Sequence, residues 1–431
     1  MLYQIKYIFS TFCLKIIFIV IFIGISQFGS GQTFETVLVP GTGNSMVQSL
    51  DGGFVITGSQ GAYLLLTKAD STGQQIWSKT YGDAFGMTPH NQGFDILLLA
   101  DGGFMICGYY NPSTATRDAY LIRTDENGDS LWTKHFSSPF LSTDEYYFFE
   151  IKQNSFGEFI VGGQIQYDST QPFDIVLMKL DSMGNEVWHR ELDLGKKEIF
   201  KGLEITDSSY TIIGESYYIS SPIHDHFIVR TDTSGFINFS RLYSQSPCCD
   251  EINDLILKAN QNYIIVGYHN DTLSSYIDFF EFNYSGDTLQ YNSILNPLQI
   301  PVSGFFEHTN GYIIYGYKRT GLVDDAFVIK VDKNGNELWR KLYGGNGNDE
   351  LYSGLLTMNG NFAFSGRSNS FGPSSVYLLV TDTSGSLINI VNPITETNDP
   401  FEFLLKNERE FIIDCNKNVY GPVSSPKTPT V

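Results

Sequence analysis

The chain has 431 residues and a formal net charge of −20, a balance that repels phosphate backbones and excludes nucleic acid as a partner. Aromatics make up 15% of it and glycines number 41, a mix that suits short strands and tight turns better than helices. Five cysteines are too few for a disulfide framework at this length, so the fold must rest on a packed core.

Lys6 and Lys15 precede an apolar run from Ile16 to Ile25, and the small residues Gly29, Ser30 and Gly31 follow it. This reads as a secretory signal over residues 1–31, cleaved near Gly31, and predicts a secreted or cell-surface protein with no membrane span in the mature chain. An uncleaved anchor is the alternative, disfavoured because the run is short for a span. Cys13 precedes the run, which is the wrong place for a lipoprotein anchor.

Residues 32–391 repeat one pattern. An aromatic is followed four residues later by glycine at Phe54/Gly58, Phe104/Gly108, Phe159/Gly163, Tyr210/Gly214, Tyr263/Gly267, Tyr312/Gly316 and Phe362/Gly366, at intervals of 49 to 55 residues. The residues between are mostly Ile, Val, Phe or Met, a strand composition. A second landmark follows each: Asp, then Gly, then Trp, as in Asp70/Gly73/Trp77, Asp125/Gly128/Trp132, Asp181/Gly184/Trp188 and Asp332/Gly335/Trp339. Asp232/Gly235 carries Phe239 instead, Asp382/Gly385 carries Asn389, and the fifth copy keeps only Gly286. Asx–Gly between apolar runs is a hairpin signal. In the sixth copy the strands fall near Gly304–His308, Gly311–Tyr317, Ala326–Val331 and Glu337–Tyr343.

Four antiparallel strands at this period describe a propeller blade, whose faces are buried only by neighbouring copies. The sequence therefore predicts an all-β fold, a seven-bladed β-propeller of four-stranded antiparallel blades, with the tryptophans wedged between blades. Residues 33–39 read as an outer strand completing the last blade, although residues 386–391 compete for that place. Phe411 echoes the aromatic phase, so residues 392–421 are a partial repeat or a packed C-terminal segment, and eight blades stay open. Residues 422–431 read as a disordered tail.

The loop between second and third strands shares one face with the blade crossings, and these segments vary between copies. Tyr109, Tyr110, Tyr167, Tyr217, Tyr218, Tyr268 and His269 stand there and offer flat apolar area with hydrogen-bonding tips, suited to a glycan or an extracellular protein. Glu198, Glu251 and Glu350 each stand 12 residues ahead of their copy's aromatic and Glu145 stands 14 ahead. These four are candidate Ca²⁺ ligands near a channel mouth, against the plainer reading of turn caps and ion pairs. Asp125-x-Asn127-x-Asp129 resembles a calcium loop with a misplaced glycine and reads better as a hairpin. His224 and His226 share one strand face without a third zinc ligand.

The runs Asp51-Gly-Gly-Phe-Val-Ile-Thr-Gly58, Asp101-Gly-Gly-Phe-Met-Ile-Cys-Gly108 and Asp332-Lys-Asn-Gly-Asn-Glu-Leu-Trp-Arg-Lys-Leu-Tyr-Gly344 resemble the DGGF/DGGY-repeat propellers exported by Bacteroidota. The resemblance covers residues 33–391 and implies fold and export, with no ligand and no clear C-terminal sorting domain. The same turns are similar to those of quinoprotein propellers, which place a vicinal disulfide beside their cofactor, and Cys248-Cys249 is a vicinal pair. The leading expectation is an exported, non-enzymatic binding or scaffold propeller. The alternative is a propeller enzyme, a hydrolase or quinone-dependent dehydrogenase, with carboxylates at the channel mouth.

Overall fold

A computed structural model describes residues 32–82, 91–113, 116–137, 145–167, 172–217, 225–243, 251–258, 260–270, 274–296, 301–320, 323–387, 412–413 and 419–420. Among these the chain is all-β and builds four-stranded antiparallel units. Strand β1 (Phe34–Pro40) comes first. The first unit is β2 (Thr42–Gln48), β3 (Phe54–Gln60), β4 (Tyr63–Ala69) and β5 (Gln75–Tyr81). The second is β6 (Asn91–Leu98), β7 (Phe104–Ser113), β8 (Thr116–Thr124) and β9 (Ser130–Phe136). The third is β10 (Glu145–Gln153), β11 (Phe159–Gln166), β12 (Asp174–Leu180) and β13 (Glu186–Leu192). The fourth is β14 (Lys197–Ile205), β15 (Ser209–Tyr217), β16 (Asp225–Asp232) and β17 (Ile237–Tyr243). The fifth is β18 (Glu251–Leu257), β19 (Tyr263–Asn270), β20 (Ser275–Phe282) and β21 (Thr288–Asn296). The sixth is β22 (Val302–His308), β23 (Gly311–Thr320), β24 (Val323–Asp332) and β25 (Glu337–Tyr343). Strands β26 (Asp349–Leu356), β27 (Phe362–Ser368) and β28 (Ser375–Thr381) form the last unit, and β1 completes it by pairing antiparallel with β28. The N-terminal segment thus supplies that outer strand, and of the competing residues 386–391 the last four lie outside the described residues. Residues 390–431 form a separate unit, in which Ile412–Ile413 pairs with Val419–Tyr420.

The second and third strands of each unit are continuous apolar runs because both their faces are covered. In the first unit Val55, Ile56, Leu64, Leu65 and Leu66 are fully buried. Outer strands such as β5 face solvent and carry charge. The turn that follows the third strand is closed the same way in every unit. The side chains of Asp70, Asp125, Asp181, Asp232, Asp332 and Asp382 each accept the backbone N–H groups two and four residues ahead. Asn283 does so in the fifth unit, where the sequence pattern breaks. The hairpin reading of Asp125 therefore holds, since its oxygen is committed to Asn127 and Asp129 at 2.9 and 2.8 Å.

The glycine of each such turn lies against the wedge residue of the preceding unit. A Cβ on Gly128 would stand 2.8 Å from Trp77. Gly184 meets Trp132 in the same way, Gly235 meets Trp188, Gly286 meets Phe239 and Gly385 meets Trp339. Phe34 of β1 takes the same role against Gly73, and only Asn292 faces Gly335. The tryptophans are inter-unit wedges, as the sequence predicts. Strand β2 packs beside β6, β6 beside β10, β10 beside β14, β14 beside β18, β18 beside β22, β22 beside β26 and β26 beside β2.

Each of these first strands carries one bulge, seen as a register shift at Asn44, Phe94, Phe149, Lys201, Asn253, Ser303 and Tyr352. A bulge re-aims a side chain out of the pleat. Here it turns a row of residues, one from each unit, toward a common cavity.

Candidate functional site

That cavity has a volume of about 280 Å³ and draws its lining from all seven first strands. The bulged residues Asn44, Phe94, Phe149, Lys201, Asn253, Ser303 and Tyr352 are on its wall, and so are their successors Ser45, Asp95, Glu150, Asp254 and Ser353. Three carboxylates therefore share one concave site. Tyr315 reaches it from the second strand of the sixth unit, through space left by the absence of a side chain at Gly304 and Gly354.

The three carboxylates differ in how far they are satisfied. Asp95 accepts the Ser45 hydroxyl at 2.8 Å and the backbone N–H groups of Ile96 and Ile151 at 2.9 and 3.0 Å. Glu150 accepts the N–H of Leu203 at 2.7 Å and pairs with Lys152 at 2.7 Å. Asp254 accepts only backbone N–H groups, from Leu255 at 2.8 Å and Phe305 at 3.1 Å. In each case one oxygen holds the first strand of the next unit, so these carboxylates stitch units together at the bulge. Among the described residues Asp254 forms no ion pair, and the consequence is electrostatic. Burial, followed by the charge of Glu150, pushes its acid up to about 7. Burial also raises Glu150, against the pull of Lys152. Burial lifts Glu204 to about 7, and Lys152 lies 3.9 Å from it. Burial disfavours the charged Lys152, but Glu150 and Glu204 outweigh that and raise it. The cavity therefore holds one carboxyl poised to carry a proton near neutrality beside another that is held by an ammonium group.

One wall is aromatic. Phe94 and Phe149 lie 4.7 Å apart, Phe149 stacks on Tyr147 at 5.6 Å, and Phe149 and Phe200 are parallel at 6.1 Å. Tyr109 meets Tyr147 at 5.4 Å, and the Arg117 guanidinium lies 5.6 Å from both rings. Flat apolar faces with a few convergent polar groups are the usual makeup of a ligand site.

Among the described residues, none of the sequence-predicted ones lines this cavity. Tyr109 packs against the aromatic wall. Glu145 pairs with Arg117 at 2.7 Å and accepts the Tyr147 hydroxyl at 2.6 Å. Glu350 pairs with Arg367 and accepts the hydroxyl of Tyr352, a cavity residue. Glu251 faces Tyr268 across the β18–β19 pair, and burial together with that carboxylate raises the Tyr268 phenol. Glu198 is fully buried and lies with Asp174 and Asp193. Away from the cavity, Tyr110 packs on Tyr120 and His135, Tyr167 donates to Glu191, and Lys197 lies over Tyr217. His269 stacks on Tyr276 and pairs with Asp278. Tyr218, His224, Cys248 and Cys249 lie outside the described residues, so nothing in the structure bears on the quinone reading. The carboxylates that sequence reasoning missed are Asp95, Glu150 and Asp254. Their signal was available, because each stands nine residues ahead of its unit's strand-two aromatic.

No family model and no curated protein matches the sequence. Solved structures do match in shape. A polysaccharide lyase, Uly1, superposes with a TM-score of 0.52 at 11% identity, over 83% of this chain and 93% of its own. A puromycin hydrolase S511A mutant complexed with PGG gives 0.51 at 12% identity, over 90% of this chain and 58% of its own. An α-L-arabinanase of Penicillium chrysogenum complexed with arabinobiose gives 0.45 at 11% identity, over 82% and 98%. The first two support a propeller-like all-β fold. The expectation of a non-enzymatic binding module is corrected here. The structures that superpose with TM-scores above 0.5 are of enzymes, a polysaccharide lyase and a puromycin hydrolase.

Proposed function

We propose that this chain is an exported, seven-bladed propeller enzyme that cleaves a glycan in its central cavity. Asp254 acts as the acid and Glu150 as its anionic partner. The seven bulged strands, their cyclic neighbours and the pairing of β1 with β28 support the closed ring. The observation that carries the chemistry is the pairing of a carboxyl raised to about 7 with a second carboxylate in one aromatic-walled cavity. Glycosidic bonds are broken by such pairs. One carboxylic acid protonates the leaving oxygen while the other carboxylate receives or activates the incoming group. The aromatic wall of Phe94, Phe149 and Phe200 offers stacking faces for sugar rings, and Lys201, which pairs with Glu215 at 2.9 Å, brings a cation to the wall. The name of the polysaccharide lyase that shares this shape supports the substrate class.

The test is turnover by the purified mature chain on a panel of neutral and uronate-bearing polysaccharides, read as new reducing ends. Absorbance from an unsaturated uronate separates elimination from hydrolysis. Release of reducing ends, abolished in Asp254→Asn with the fold intact by circular dichroism, is the expected result. No turnover on any member of the panel overturns the reading.

A further inference from the structure

A second cluster of acids lies away from the cavity, where the third unit crosses to the fourth. Asp174 begins β12, Asp193 follows β13, and Glu198 is the second residue of β14. Their ligating oxygens all lie within 4.8 Å of one another. Local geometry forces them together. The Glu198 N–H donates to the Phe173 carbonyl at 2.9 Å, and Gln164 donates to the Glu198 carbonyl at 3.2 Å. Asp193 closes the crossing by accepting the Gly195 N–H at 2.6 Å.

What marks the cluster is Glu198. Its side chain is fully buried, one oxygen accepts the Lys196 N–H at 3.0 Å, and the other has no hydrogen-bond donor. Nearby ammonium groups are directed elsewhere. Lys196 pairs with Asp225 at 2.5 Å, while Lys197 lies over Phe173 and Tyr217. Among the described residues none of the three acids forms an ion pair. A desolvated carboxylate facing two others is unfavourable unless a proton or a cation joins them.

We infer that Asp174, Asp193 and Glu198 bind a Ca²⁺ ion that fastens this crossing. The donors are all oxygen, which selects a hard cation over zinc. Ligands at about 2.3–2.6 Å from one ion can span the observed separation, with carbonyls and water completing the shell. Glu198 was foreseen as a calcium ligand, but alongside Glu145, Glu251 and Glu350. The site instead joins Glu198 to two acids of the preceding unit and does not depend on the glycan-cleaving reading.

The experiment is thermal unfolding and calorimetric titration of the chelator-treated full chain with CaCl₂ at neutral pH. The expected result is a higher unfolding temperature with calcium and a single binding event, weakened about ten-fold or more in Asp193→Asn. Asp193 is exposed, and asparagine keeps the oxygen that accepts the Gly195 N–H, so this variant should fold. Glu198→Gln should be at least as stable as the parent in chelator and indifferent to calcium. An unfolding temperature unmoved by millimolar calcium overturns the inference. So does an Asp193→Asn variant that responds as the parent does.

Discussion

Gly128→Ala tests the wedge that sets one unit against the next. Gly128 has φ of +77° and its missing Cβ would stand 2.8 and 3.0 Å from two carbons of the Trp77 ring. Gly360 is the control. Its φ is +81°, its turn has the same hydrogen-bond pattern, and nothing lies within 4 Å of a Cβ built there. Alanine in that left-handed conformation costs about 1–2 kcal/mol at either site. At Gly128 the forced shift of Trp77 adds about 1–3 kcal/mol of overpacking. Gly128→Ala should therefore lose about 2–5 kcal/mol against about 1–2 for Gly360→Ala, measured by denaturant unfolding. In a Trp77→Leu background the extra loss at Gly128 should largely disappear. Equal losses at the two glycines, or an extra loss untouched by Trp77→Leu, would refute the wedge.

Two further outcomes follow from the carboxylates. Asp95→Asn leaves at most one carbonyl oxygen for donors that now share two, so it should cost about 1–3 kcal/mol in the same assay, and full stability would contradict the stitching role. Asp254 titrates near 7 when folded and near 3.8 as a free side chain, so the folded state holds its proton more tightly. Stability should fall as pH rises between those two values, and the Asp254→Asn variant should lack that component. Parallel pH profiles for the two proteins would refute the shift.

The scaffold was legible because it repeats. The aromatic–glycine phase and the Trp77 phase recur since every unit must bury the same two strands and seat the same wedge. The fifth unit hid its turn only because Asn283 replaces aspartate, and its wedge is lost to Asn292. The site was harder to read because cavity residues are free to differ: the bulged positions hold Asn44, Phe94, Phe149, Lys201, Asn253, Ser303 and Tyr352. A conspicuous row of glutamates at the strand starts drew attention to residues that pair with Arg117 and Arg367, one layer outside the cavity. The identity of the partner of a buried carboxylate is a tertiary fact, and the distinction between Asp95, held by three donors, and Asp254, held by two, is invisible in the chain.

The most direct measurement is the rate of glycan cleavage by Asp254→Asn against the parent, across pH. The account predicts a loss of about a hundred- to ten-thousand-fold in the variant, the range of a missing general acid. It also predicts parent activity that declines as pH rises through about 7. A variant that cleaves as fast as the parent would contradict the assignment of the cavity as the active site.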